Sequence, residues 1–80
     1  MTKQLNELFR REFALLTISL RTKKDLSQLQ LSNLTGVHIA RIEAADALPA
    51  FGTMYKIGSY FNLKPSDLVN MVEQKIKNKL

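Results

Sequence analysis

Eighty residues with a net charge of +5, 45% hydrophobic side chains and no cysteine describe one small domain with a modest core. That hydrophobic share excludes a disordered tail, and the lack of cysteine excludes disulfides and thiolate metal sites. The longest mostly apolar run, Phe13 to Leu20, falls far short of the ~20 residues a spanning helix needs. The N-terminus carries neither the apolar core nor the small-residue cleavage site of a signal peptide. A soluble, cytoplasmic protein without membrane attachment is expected. The positive charge is concentrated at the ends. Residues 1–25 hold six cations and three acids, and residues 64–80 hold four cations and two acids. Between them, Arg41 and Lys56 balance Glu43 and Asp46. Basic ends suit phosphate-rich partners and serve equally well as a solvated surface.

No segment alternates apolar and polar residues over the length of a strand, whereas helical spacing recurs throughout. The first predicted helix runs from about Leu5 to Lys23, with Leu5, Leu8, Phe9, Phe13, Leu16 and Leu20 at steps of three and four. Leu15 and Ile18 add a second apolar side, which makes this helix central to the core. Asp25 or Ser27 can cap a second helix, and Gly36 ends it. Leu26, Leu29, Leu31 and Leu34 form its expected buried side. A third, short helix covers about His38 to Ala45, with Ile39 and Ile42 facing inward. Pro49 marks a loop. The fourth helix spans about Ala50 to Phe61, packed through Phe51, Met54, Tyr55, Ile57 and Phe61. Its Gly52 and Gly58 each cost roughly 1 kcal/mol against alanine, which points to close helix–helix contact. Pro65 suits the first turn of a fifth helix, with Asp67 at the positive end of its dipole and Lys75, Lys77 and Lys79 near the negative end. The whole reads as a compact all-α domain of five helices.

The order of several short signatures gives a resemblance. Leu20-Arg21 stands ahead of Leu26-Ser27-Gln28. "LSNLTGV" covers Leu31 to Val37, "RIE" covers Arg41 to Glu43, and "MYKIGSYFNLKPSDLV" covers Met54 to Val69. Together they resemble the lambda-repressor/Cro type of helix-turn-helix domain over about residues 13–69. Residues 1–12 and 70–80 would be helical extensions of a single domain spanning 1–80. The resemblance implies a helix-turn-helix at about 27–45, whose second helix lies across the DNA backbone while the third enters the major groove. It implies a role for Gln28 either at a phosphate or in support of the recognition helix, and for His38 and Arg41 at the DNA. It also implies a structural ion pair between Arg21 and Glu43, and a dimer or partner interface on the Leu68, Val72, Ile76 and Leu80 stripe, which otherwise would cover the first helix.

The chain departs from the family between Gly36 and Ile39, where about three residues are missing. Three helical residues span ~4.5 Å and nearly a full rotation, so the tip of the recognition helix is removed while its inner face keeps phase. His38, Arg41 and Ala45 remain facing outward, a sparse set where base readout favours Arg, Lys, Asn and Gln. Arg41 can face a phosphate or form a surface pair with Asp46. His38, the single histidine, can cap the third helix or touch DNA, and has no companion ligands for a metal. No nucleophile–base spacing, glycine-rich phosphate loop or paired carboxylates point to catalysis, and no cofactor is implied. Two expectations follow. One is a small transcriptional regulator that binds double-stranded DNA as a homodimer. The other is a helix-turn-helix-derived interaction module, an antirepressor-like modulator or partner subunit of another regulatory protein, that has lost direct base readout.

Overall fold

The structure, a computed structural model, describes residues 2–79. Five helices follow one another: α1 (Lys3–Lys23), α2 (Gln28–Thr35), α3 (Ile39–Glu43), α4 (Phe51–Tyr60) and α5 (Pro65–Lys79). No strand occurs among the described residues. The helix α1 begins two residues earlier than its apolar pattern, because Thr2 caps it by accepting from the Leu5 N–H at 3.1 Å. It stops where Asp25 turns left-handed at φ 55°, a conformation that aspartate tolerates better than most residues. The helix α2 opens on a reciprocal cap: the Ser27 hydroxyl accepts from the Gln30 N–H at 3.0 Å, and the Gln30 side chain accepts from the Ser27 N–H at 2.8 Å. This settles the capping residue as Ser27. Gly36 closes α2 at φ 75°, and the Ser32 hydroxyl then accepts from the Ile39 N–H at 3.0 Å. Ser32, not His38, thus satisfies the first turn of α3, and His38 at the N-cap position makes no side-chain capping bond.

The core gathers Phe13 from α1, Leu31 from α2, Ile39 from α3, Ile57 from α4, and Leu68, Val72 and Ile76 from α5. Each fully buried Leu, Ile, Val or Phe contributes about 1.5–3 kcal/mol relative to exposure. The α5 stripe expected at a dimer or partner surface is therefore in large part internal. Leu68, Val72 and Ile76 lie in the protein's own core, in the helix that packs most extensively on α1, while Leu80 lies outside the described residues. The same steps of four that make a seam between subunits also make a seam within one.

Several expected core residues face solvent instead. Leu29 is 70% exposed, and Leu34, Leu15, Phe51 and Tyr55 are exposed as well. The physical reason is geometric. An eight-residue helix such as α2 touches its neighbours on one side, and Leu31 occupies that side. On α4 the inward line runs through Ile57 and Gly58, which leaves Phe51 and Tyr55 outside, their rings tilted toward each other at 6.4 Å between centroids. Two polar residues are buried instead: Thr17, whose hydroxyl donates to the Phe13 carbonyl at 2.9 Å, and Glu12. Gly58 meets the expectation of close approach through a turn. A Cβ there would collide with the Leu63 carbonyl oxygen, because the Leu63 N–H returns to the Gly58 carbonyl at 2.8 Å. Gly52 corrects that expectation, since a Cβ there would meet nothing within 4 Å.

Candidate nucleic-acid interface

A five-residue helix cannot sustain itself, since nucleation alone outweighs so few hydrogen bonds. The position of α3 is fixed from outside. Ile39 at its start is fully buried. Glu43 at its end is gripped by α1: Arg21 Nε donates to Glu43 Oε2 at 2.7 Å and Nη2 to Oε1 at 2.8 Å. The two side chains are only 14% and 4% exposed. This two-pronged geometry matches the planar guanidinium to the carboxylate. The remaining prong, Nη1, donates to the Leu26 carbonyl at 2.8 Å, tying in the turn between α1 and α2. Hydrogen bonding to Glu43 raises the Arg21 pKa above its ordinary value against the opposing effect of desolvation, and the carboxylate's charge adds to the rise. A raised arginine pKa means that the cation's contribution is complete below its ordinary pKa and is lost only in strong alkali.

Gln28 joins the same cluster. Its Nε2 donates to Glu43 Oε1 at 2.8 Å. The resemblance leaves this residue either a phosphate contact or a supporting role behind the recognition helix. Here one of its two amide hydrogens is committed inside the fold, and its amide oxygen, an acceptor, cannot bind a phosphate. Its main geometric role is to position α3.

Arg10, which the sequence reading did not single out, steadies the exit from α3. Its Nη1 reaches the Ala45 and Asp46 carbonyls at 3.4 Å each, and Ala45 adopts φ 60°, a strained conformation for a residue with a Cβ. No local spacing signals a contact between residues 35 positions apart. Ala45, expected on the outward face, is thereby drawn into this turn.

With α3 held from inside, its other side is free. His38, Ala40, Arg41 and Ala44 are exposed. Among the described residues no ion pair joins Arg41 to Asp46. His38 and Arg41 line a hollow of about 350 Å³ that continues through Leu48, Thr53 and Lys56. Lys56 is the residue that sequence reasoning missed as part of this surface. It was visible as the other cation of the neutral middle segment, but only the fold, in which α4 packs on α2 and α5, brings it to the same hollow as Arg41. Ala50, at the start of α4, offers no side-chain cap, so the first-turn N–H groups are left for solvent or a ligand.

The described residues include no group of three or more potential metal ligands. None of their helices is long and apolar enough to cross a membrane. Comparison with protein-family models, with characterised proteins and with solved structures finds no match to this chain.

Proposed function

We propose that the protein is a small DNA-binding transcriptional regulator of the lambda-repressor/Cro type, contacting duplex DNA through α2, the Gly36 turn and α3. The observation that carries this reading is the two-sidedness of α3. Its inner side is locked by Ile39 and by the Arg21–Glu43–Gln28 cluster. Its outer side presents His38 and Arg41 on a hollow shared with Lys56. A helix that is anchored from behind and bare in front is what groove entry requires. The few cations limit the electrostatic contribution: two phosphate contacts per protomer correspond to a salt slope of about −2 in log K against log salt. Affinity would then depend on pairing of two protomers on a two-fold site. Because Leu68, Val72 and Ile76 are spent on the core, that pairing would use another surface.

Fluorescence anisotropy with duplex DNA from the neighbourhood of the protein's own gene tests the reading. The combined variant Arg41→Ala, Lys56→Ala should lose affinity by at least about tenfold, in keeping with the loss of two phosphate contacts, with an unchanged circular dichroism spectrum. Affinity that survives both substitutions defeats readout through this face.

A second reading is favoured by one observation. Leu29, Leu34, Phe51 and Tyr55 are all exposed, a composition that suits a protein contact better than a phosphate backbone. The protein would then be an interaction module, docking on another regulatory protein. Stoichiometric recovery of a regulator with the tagged protein, together with absence of intrinsic DNA affinity, distinguishes this case.

A further inference from the structure

We infer that the groove between α1 and α5 is a docking site for an acidic amphipathic helix of another protein. It is a hollow of about 630 Å³ and lies outside the α3 surface. Its apolar lining comes from Leu15 and Leu16 of α1 and from Met71 and Val72 of α5. Leu15 and Met71 are exposed, although both belong to helices whose other sides supply the core. Apolar side chains from two adjacent helices with a trough between them offer a seat for a third helix, which inserts residues at i, i+4 and i+7.

The charges on α1 and α5 are sorted, and the sorting selects the partner. The acids of α5 are diverted from the groove: Asp67 accepts from the Lys64 N–H at its own helix start, and Glu73 lines a separate hollow with Leu5, Phe9 and Lys77. Lys75 and Lys79 line the groove itself. On α1, Glu7 lies at a third hollow beside Arg10 and Arg11. Among the described residues Glu12 is the single acid lining the groove, and it is buried and paired with Lys79 at 3.5 Å. Among the described residues, Lys75 has no carboxylate partner. The groove is therefore an apolar trough with a surplus cation on its rim. A second copy of this chain would bring another cationic rim to the seam, and like charges facing each other across an interface oppose association. Carboxylates flanking an apolar stripe complement both features.

The test uses the full chain and a synthetic helical peptide with leucines at i, i+4 and i+7 flanked by glutamates. A control peptide replaces every glutamate with lysine. Binding is followed by anisotropy and by amide chemical shifts. The acidic peptide should bind, should shift the signals of Leu15, Ser19, Met71 and Lys75, and should bind at least about tenfold more tightly than the control. Leu15→Glu and Met71→Glu alter exposed positions, and an unchanged circular dichroism spectrum is expected of each. Each should weaken binding at least about tenfold. Lys75→Glu should weaken it about fivefold and favour the lysine peptide instead. Absence of binding, equal affinity for the two peptides, or shifts gathered at Arg41 and Lys56 would overturn the proposal. So would a sedimenting dimer of the protein alone that Leu15→Glu dissociates, since the occupant would then be a second copy.

Discussion

Two ion pairs tie α1 to later parts of the chain, and they differ in nearly every respect that determines energy. Arg21 meets Glu43 with two short bonds, and both side chains are largely withdrawn from water. Lys79 meets Glu12 at 3.5 Å, with an equally buried carboxylate but a lysine that is 52% exposed. In the first, the carboxylate accepts three hydrogen bonds, from two prongs of Arg21 and from Gln28. In the second, a flexible ammonium remains in solvent, where screening and side-chain entropy remove most of the Coulombic gain. The burial of an acid does not by itself make a strong pair; the geometry and hydration of the cation do. The stronger pair holds the helix that carries the proposed contact surface, and the weaker one lies on the rim of the α1–α5 groove.

The largest effect is expected from Glu43→Ala, which leaves the Arg21 guanidinium without its partner and α3 without its far anchor. Removing one member of a buried pair costs about 3–5 kcal/mol, enough to consume much of a small domain's stability. Urea denaturation measures it, and a loss below about 1 kcal/mol would erase the distinction between the two pairs. Next comes Gln28→Ala, which removes one hydrogen bond to a charged acceptor at a partly hydrated site, for about 1 kcal/mol. A double-mutant cycle with Glu43→Ala should show that this cost vanishes once the carboxylate is gone. If it persists, Gln28 acts elsewhere. The smallest effect belongs to Lys79→Ala, expected within about 0.5 kcal/mol and smaller still in 1 M salt. A cost above about 2 kcal/mol would place this pair in the same class as the first.

Much of the architecture was legible from residue order. Periodicity located the five helices to within a few residues, because each carries a run of aliphatic side chains at steps of three and four, bounded by Ser27, Gly36, Pro49 or Pro65. Periodicity does not say which apolar residues will be left over. Leu29 and Leu31 differ by two positions in one short helix, and only the placement of neighbouring helices decides that Leu31 is covered and Leu29 is not. The same limit misassigned Phe51 and Tyr55 as packing residues and the α5 stripe as a surface. For the candidate site, Arg21 and Glu43 were paired through the resemblance, and the pairing is present. His38 and Arg41 are exposed as expected. For Gln28 the resemblance left a phosphate contact and support of the recognition helix open, and its side chain bonds Glu43 at the end of α3, as the second alternative has it. Arg10 bonds a segment 35 positions away and Lys56 shares a hollow with Arg41, placements that only the tertiary fold decides.

The brevity of α3 has a consequence for how substitutions propagate. Its ordered fraction is not an intrinsic property but is set by residues on other helices. Hydrogen exchange of the Arg41 and Ile42 amides should thus report on the hold exerted by Arg21, a residue twenty or more positions upstream. Changes in α1 can retune the outer surface of α3 without altering any atom exposed there.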